Sequence, residues 1–296
     1  MGSTINSNQL AYAAKLFSPV ILQEMGQYGQ SPSFCRLANE SGLLDKAEYI
    51  DVRDFFDAAF LALRKKSNRY EYIYKSTIAH KVLLGVHSLK TASMLSEFRV
   101  GMSKADMVIL NGTSTVYEIK TERDNLDRLP GQISDYRKVF AKINVICAEN
   151  HIDAVEQCVD SSVGILVLND RHKITTIREA LDRKKFIDPR AVFDSIHKNE
   201  ALLILDKMGV AHPKVPNTQF HREMTGIFSS IDPSSLHKCM IEVIKETRSR
   251  HALAESLKAL PKSLYMAAFS TTLRPSEYKN LIKALSTPLS VALAWA

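Results

Sequence analysis

Asp106, Glu118 and Lys120 occur close together in the segment Ser96–Lys120, which reads SEFRVGMSKADMVILNGTSTVYEIK. Side chains alternate between the two faces of a β-strand, so Glu118 and Lys120 share a face. Asp106 comes from the preceding strand-like stretch. Carboxylate oxygens suit Mg²⁺ or Mn²⁺, and a metal-bound water attacks phosphodiesters. The residues therefore predict a metal-dependent hydrolase site, with Asp106 and Glu118 as ligands. Lys120 would orient or deprotonate the attacking water, or stabilise the transition state.

This prediction depends on the turn that joins the two strands. If the loop is Asn111–Thr113, Asp106 lies opposite Glu118 and the two carboxylates share a face. A two-residue Asn111-Gly112 turn would place Asp106 opposite Tyr117 and separate the carboxylates. The Asn-Gly pair ordinarily favours the two-residue turn. The site therefore requires a three-residue loop or a bulge.

The acid-x-lysine pattern alone is weak, because Asp182-Arg-Lys184 matches it within a basic stretch that we expect to be helical. The alternative for Glu118 and Lys120 is a surface hairpin with ordinary charges. That alternative fits poorly, since both strands are otherwise apolar and charges in near-buried strands are costly unless they are paired or bind metal.

The surrounding pattern predicts helices and strands in alternation. A helix over Tyr70–Leu84 precedes three strands, and an amphipathic helix begins near Pro130. Strands and helices then alternate up to Leu168. The predicted strands are Leu95–Val100, Ala105–Leu110, Thr115–Lys120, Asn144–Ala148 and Val163–Leu168, and the last helix is His151–Val159. This order predicts an α/β fold, a mixed sheet with helices against its faces.

Both flanking regions are predicted to be helical. We therefore expect a helical N-terminal region at 1–65, a core at 66–170 and a helical C-terminal region at 171–296. The C-terminal helices are expected at Ile174–Lys185, Pro189–Leu205, Gln219–Ser229, Pro233–Leu257, Lys262–Thr272 and Pro275–Leu285.

Residues 70–150 resemble the PD-(D/E)XK nuclease superfamily, and look like a little-described bacterial family within it. By this resemblance Asp106, Glu118 and Lys120 match the signature residues, while Ala105 stands where the signature has proline. The resemblance implies a restriction-endonuclease-like fold and a Mg²⁺- or Mn²⁺-dependent deoxyribonuclease. It also implies a bacterial or phage setting, with DNA as the partner and RNA left open.

Further site residues come from the same resemblance. Similar nucleases often carry a glutamine and a tyrosine on the helix after the acid-x-lysine strand, and Gln132 and Tyr136 lie one helical turn apart. The alternative is a solvated Gln132 and a core Tyr136. Many relatives also use a glutamate on the first core helix as a metal ligand. Glu71 is the candidate here, and Glu97 is its rival.

The net charge of +7 is compatible with a polyanionic partner without establishing one. Basic residues near the predicted site are the candidates for nucleic-acid contacts, although each one is also explained as part of a solvated helix face. They are Arg69, Arg123, Arg128, Arg137 and Lys138.

The rest of the sequence gives no sign of a zinc site, a membrane span or a signal peptide. Four cysteines lack the CxxC spacing of zinc sites, and no apolar run reaches the length of a membrane span. Met1–Ser7 shows no signal-peptide pattern, so we expect a cytoplasmic protein. Two alternatives remain beside the nuclease. One is a catalytically silent nucleic-acid-binding module of the same fold. The other is a nuclease joined to C-terminal helices that bind a protein partner or form a homo-oligomer.

Overall fold

The computed structural model describes residues 5–65, 69–84, 92–248, 253 and 256–296. The chain forms two compact units. Unit 1 combines residues 1–80 with residues 250–296, and unit 2 is the continuous stretch 81–249. By sequence, unit 1 carries 15 basic and 10 acidic residues, whereas unit 2 carries 24 and 22. Unit 1 therefore carries a net charge of +5 and unit 2, which contains Asp106, a net charge of +2.

Unit 2 is built on one six-stranded sheet with the strand order β1-β2-β3-β4-β5-β6. The pairs β1/β2, β2/β3 and β5/β6 are antiparallel, whereas β3, β4 and β5 run parallel. The predicted mixed sheet is thus confirmed. The strands are β1 Ser93–Val100, β2 Ser103–Leu110, β3 Ser114–Lys120, β4 Lys142–Cys147, β5 Gly164–Leu168 and β6 Ile174–Arg178.

Helices connect the parallel strands and pack against the sheet. Parallel neighbours need a crossover, and α6 Leu129–Tyr136 joins β3 to β4, while α7 Ile152–Cys158 joins β4 to β5. Helix α6 packs on β2, and α7 packs on β4 and β5. The strands β3, β4 and β5 are almost wholly buried, which explains why they read as apolar runs in the sequence.

The segment after β5 differs from the prediction. Residues 174–185 were expected to be helical, but Ile174–Arg178 forms β6, and a short 3-10 turn follows at Lys184–Phe186. A turn at 169–173 causes this difference. The Asn169 side chain accepts hydrogen bonds from the backbone N–H groups of Arg171 and Lys173, and the Asn169 N–H donates to the Lys173 carbonyl. This turn returns the chain along β5 as a hairpin.

The predicted helix Pro189–Leu205 is two helices, α8 Pro189–Ser195 and α9 Lys198–Met208. The break between them is stabilised by a contact at the start of α9. There the Glu200 side chain accepts a hydrogen bond from the His197 backbone N–H and so caps the new helix. Unit 2 then contains α10 Asn217–Ser229 and α11 Pro233–Thr247. Most of the predicted continuation of α11 to Leu257 lies outside the described residues.

Unit 1 is helical and draws on both ends of the chain. Asn280 donates to the Gly26 carbonyl (Nδ2···O 2.9 Å), and the Phe34 ring lies 5.7 Å from that of Trp295. Its α-helices are α1 Ser7–Lys15, α2 Pro19–Tyr28, α3 Pro32–Glu40, α4 Val52–Arg64, α5 Glu71–Ile78, α12 Tyr265–Ser270, α13 Pro275–Leu285 and α14 Leu289–Ala292. A π-helical turn, Ala79–Leu84, follows α5.

These units divide the chain differently from the three regions expected from the sequence, since residues 250–296 complete the core of the N-terminal helices. Among the described residues, no helix has both the length and the apolar character needed to cross a membrane.

Candidate functional site

The β2–β3 hairpin adopts the register that the predicted site requires. Leu110 pairs with Ser114, and the ladder runs to the Met107–Tyr117 pair. The three-residue loop is closed by the Asn111 N–H donating to the Thr113 carbonyl, and Gly112 has φ +90°. Extended by one residue, this register places Asp106 opposite Glu118. The Asn-Gly pair therefore does not form the two-residue turn that it ordinarily favours.

The ladder ends where the candidate site begins. The Asp106 carboxylate accepts a hydrogen bond from the Ile119 backbone N–H (Oδ2···N 2.8 Å). A side chain from β2 thus binds the backbone of β3 directly beside Glu118. The residue types and their spacing in the sequence did not predict the hydrogen bond between Asp106 and Ile119, because Ile119 takes part through its backbone amide.

Glu118 is one of four side chains that form a hydrogen-bonded network. Lys120 Nζ lies 3.0 Å from Glu118 Oε1 and 3.0 Å from Gln132 Oε1. The Tyr136 hydroxyl donates to the other carboxylate oxygen of Glu118, at 2.8 Å. The helix α6 therefore brings Gln132 and Tyr136 onto the face of β3 that carries Glu118 and Lys120.

The charged pair at the centre of the network is buried, and burial raises the pKa of the hydroxyl that contacts it. Glu118 is 2% exposed and Lys120 is 6% exposed, whereas Asp106 and Gln132 are partly exposed. The pKa of the Tyr136 hydroxyl is raised well above its usual range, mainly by burial and then by the charges of Glu118 and Asp106. Both carboxylates thus act on the same hydroxyl, which stays protonated and donates to Glu118.

A turn after β3 fixes the position of Lys120. The Thr121 N–H and hydroxyl both donate to Asp124 Oδ2, each at 2.7 Å, and the Ala148 N–H donates to the Lys120 carbonyl at 3.0 Å. These contacts end β3 directly after the lysine. The sequence prediction missed Asp124.

The donor set can be compared with the needs of a divalent ion. Mg²⁺ retains several waters and needs only one or two protein carboxylates, and each carboxylate oxygen has two acceptor positions. Asp106 and Glu118 fit that minimal requirement. In the described part of the chain, no three His, Cys, Asp or Glu side chains come together as a metal-binding group. Asp106 and Glu118 therefore supply the number of carboxylates that such an ion needs, and the metal stays a prediction.

Glu71, Arg69 and Glu97 each have contacts or surroundings of their own. Glu71 and Arg69 belong to unit 1, where Glu71 forms an ion pair with Lys75 and Arg69 is 3% exposed. Glu97 in β1 has φ +59° and pairs with Lys104 at 2.7 Å.

The remaining basic candidates differ in their surroundings. Arg123 and Arg128 are exposed between β3 and α6. Arg137 forms an ion pair with Asp160, and Lys138 pairs with Asp135 at 2.9 Å. Arg123, Arg128 and Lys138 are thus exposed to solvent, whereas Arg137 is partly buried.

The opposite end of β3 holds a second buried polar pair that the sequence did not indicate. The Ser114 hydroxyl lies 2.8 Å from His237 Nε2 on α11 and accepts a hydrogen bond from the Ala141 N–H at 3.0 Å. Burial lowers the pKa of His237 to about 4. The imidazole is therefore neutral at pH 7, and its hydrogen bond with Ser114 anchors β3 to α11.

The described residues of unit 2 thus define an α/β protein with a buried acid-x-lysine cluster at the end of a hairpin. Residues 64–267 match the family described as "Bacteriophage P4 protein cII". This match covers more than half of the chain, so the chain belongs to that family.

Two individual proteins are similar to this chain. Protein cII of Enterobacteria phage P4 is 25% identical over 169 residues, which are 55% of this chain and 61% of the relative. The chain therefore spans less than two thirds of that relative. A solved structure of a protein of unknown function from Silicibacter pomeroyi aligns with 50% of this chain and 99% of its own length, at 15% identity and a TM-score of 0.32. These descriptions name no activity.

Proposed function

We propose that the protein is a metal-dependent nuclease that hydrolyses phosphodiester bonds of DNA. The observation that carries this proposal is the buried pair Glu118–Lys120 beside Asp106. Burying two charges costs more than an exposed pair does, and their mutual attraction offsets that cost only in good geometry. A buried ion pair beside the partly exposed carboxylate of Asp106 is therefore a candidate functional site. We extend the proposal to a restriction-endonuclease-like fold and to a cytoplasmic protein of bacterial or phage origin.

Each residue of the cluster has a proposed role. Asp106 and Glu118 would hold Mg²⁺ or Mn²⁺, which when bound lowers the pKa of a water and offsets phosphate charge. Lys120 supplies a cation for the attacking water or the scissile phosphate, and Gln132 orients its ammonium group. Tyr136 holds the second oxygen of Glu118, so the carboxylate cannot rotate freely.

DNA contact is assigned to the exposed arginines next to this cluster. Arg123 and Arg128 lie between the strand that carries Lys120 and the helix that carries Gln132. Contacts from these residues to phosphate would position DNA without reading its sequence. We therefore expect salt-dependent binding to DNA.

A cleavage assay with matched variants tests the proposal. Supercoiled, linear and single-stranded DNA, and RNA, are incubated with Mg²⁺ or Mn²⁺ and with wild-type protein, Asp106→Asn or Lys120→Met. Both substitutions keep the approximate side-chain shape while removing the charge. We expect each to reduce the cleavage rate at least about 100-fold, the usual size of a lost electrostatic contribution. Calorimetric titration with Mn²⁺ should show weaker binding for Asp106→Asn.

The chain contains its own control. Asp182 and Lys184 repeat the acid-x-lysine pattern but form an ion pair of two partly exposed side chains, at 3.4 Å, outside the cluster. Asp182→Asn and Lys184→Met should leave cleavage unchanged. Cleavage that persists in Asp106→Asn and Lys120→Met would refute the proposed site.

A second candidate function is a nucleic-acid-binding module without turnover. The observation that favours it is that both oxygens of Glu118 already accept hydrogen bonds, from Lys120 and from Tyr136. In this case the protein would bind DNA in the same assays without cleaving it under any metal condition, and Asp106→Asn would leave DNA affinity unchanged.

A further inference from the structure

The edge strand β6 is exposed on both of its faces. Thr175, Thr176 and Ile177 are consecutive and all exposed, with Ile177 at 46%. Successive residues of a strand point to opposite faces. Thr175 and Thr176 precede the register shift in the pairing with β5, so the exposure of both means that helices cover neither side of the strand there. In the described part of the chain, no strand lies beyond β6 in the sheet.

The hydrogen-bond pattern shows which backbone groups of β6 face outward. The Asn169 N–H donates to the Lys173 carbonyl, so the pair 169/173 is hydrogen-bonded within the hairpin. Hydrogen-bonded positions recur every second residue in an antiparallel pair. Thr175, opposite Val167, therefore directs its backbone towards β5. Thr176 directs its N–H and carbonyl away from the sheet.

We propose that β6 pairs antiparallel with β6 of a second copy of this chain, about a two-fold axis at Thr176. A hydrogen-bonded pair of two Thr176 residues uses the outward N–H and carbonyl of each copy. It places Thr175 opposite Ile177 of the other copy, a contact between β-branched side chains that stabilises sheets. A two-fold contact of this kind is isologous and closes at a dimer.

The charges at the two ends of β6 complement this arrangement. Lys173 precedes the strand and Glu179 follows it, and both are exposed. Antiparallel pairing brings the start of one strand next to the end of the other, so each Lys173 lies near Glu179 of the second copy. Arg178 does not oppose this, because its guanidinium donates inward to the Val163 and Asp160 carbonyls.

The centre of β6 has little of the protection that other exposed edges have. Exposed edges in monomeric proteins are ordinarily protected by charges, coverage or β-bulges, because they otherwise pair with other chains. Thr175 and Thr176 carry no charge and are exposed, and the register shift in the pairing with β5 begins only after Thr176. The charges of the segment are placed at its two ends in a self-complementary order.

Charge exchange tests this dimer in the full-length protein. Sedimentation velocity from low to high micromolar concentration should show a concentration-dependent dimer. Lys173→Glu places like charges at both ends of the interface and should raise the dimer dissociation constant about tenfold or more. The double variant Lys173→Glu/Glu179→Lys restores opposite charges and should regain dimerisation. A monomer at all concentrations, or a dimer that Lys173→Glu does not weaken, would overturn the proposal.

A cysteine pair tests the register. In Thr176→Cys, mild oxidation should give a disulfide-linked dimer, because hydrogen-bonded partners across the two-fold have Cα atoms about 5.5 Å apart, within disulfide reach. Thr175→Cys is the matched control, since its partner is Ile177. Wild-type protein accounts for crosslinks through its own cysteines. Equal crosslinking of the Thr175 and Thr176 variants would exclude this register.

Discussion

At the scale of single residues, Glu118 determines how the candidate site is held. Its two carboxylate oxygens accept hydrogen bonds from different elements, Lys120 on the same strand and Tyr136 on α6. A buried carboxylate that loses one such partner retains its desolvation cost without the compensating bond. The hydroxyl of Tyr136 is therefore important for stability as well as for the orientation of the carboxylate.

We predict that Tyr136→Phe lowers the free energy of unfolding by about 1–3 kcal/mol, the cost of leaving a buried hydrogen-bonding group without its partner. Urea denaturation gives the measurement. Tyr28→Phe is the control, because Tyr28 is 70% exposed and its loss should change stability by less than about 0.5 kcal/mol. Equal effects of the two substitutions would contradict this role of Tyr136.

Much of the cluster could be predicted from local sequence, and the reason is geometric. Strand alternation places Glu118 and Lys120 on one face, and helical spacing places Gln132 and Tyr136 on another. The contact between these faces depends on how α6 packs, which spacing does not reveal. Glu71 was inferred only by resemblance, and it falls in the other unit, because sequence proximity to β1 does not determine which core a helix joins.

At the scale of elements, the hairpin loop controls whether the two carboxylates share a face. Gly112 adopts φ +90° with no atom within 4 Å of an added Cβ. The left-handed conformation costs other residues about 1–2 kcal/mol. We predict that Gly112→Ala lowers the free energy of unfolding by about 1 kcal/mol through the backbone alone.

The matched control for this loop is Gly226, inside α10 and three residues before its end, where an added Cβ also has no neighbour within 4 Å. Gly226→Ala should raise stability by about 0.5–1 kcal/mol, because alanine has the higher helix propensity. Chemical denaturation measures both variants. If Gly112→Ala also stabilises the protein, the loop does not constrain the hairpin as described.

The contact between β3 and α11 predicts a pH dependence. Because the pKa of His237 is about 4 in the folded protein, against an ordinary value near 6.5, the folded state binds fewer protons than the unfolded state. Stability is then complete above pH 6.5 and falls as the pH decreases towards 4. Between pH 7 and pH 5 we expect a loss of about 2 kcal/mol from this residue.

Unfolding curves measured from pH 7 to pH 5 test this prediction. His237→Gln keeps an acceptor for Ser114 without a titratable group, so its stability should depend less on pH over that range. The nearby charges of Asp182 and Lys184 act on His237 in opposite directions. An identical pH dependence in wild type and His237→Gln would show that another group is responsible.

The elements that the sequence predicted correctly are those with one dominant periodicity. The three strands of the hairpin region and the helix at Pro275–Leu285 are present, the latter with the predicted ends. Residues 174–185 were predicted wrongly because Ile174, Ile177 and Leu181 also have helical spacing. The polar turn at Asn169, which makes this segment a strand, acts through side-chain hydrogen bonds that periodicity does not record.

At the scale of the whole molecule, unit 1 requires both ends of the sequence. The Leu273 side chain packs against Gly26, and Cys35 Sγ donates to the Leu293 carbonyl. Phe34 is fully buried, with the Trp295 ring beside it. The C-terminal helices therefore cover apolar faces of helices that lie more than 200 residues earlier in the sequence.

We predict that truncation after residue 249 exposes the helices of residues 7–64 to solvent exchange while β2–β5 remain protected, because the removed helices complete only the unit 1 core. Hydrogen–deuterium exchange measured by mass spectrometry distinguishes the two regions, and the full-length chain is the reference. If residues 1–65 were an independent domain, their exchange would not change on truncation.

The interruption of unit 1 by unit 2 also has a consequence during protein synthesis. Residues 81–249 separate the two parts of unit 1, and ribosomes add about 5–20 residues per second. The N-terminal helices therefore leave the ribosome roughly 10–30 s before the C-terminal helices that cover them. During that interval unit 2 can fold as a continuous stretch, whereas the apolar faces of α2 and α3 are accessible to chaperones.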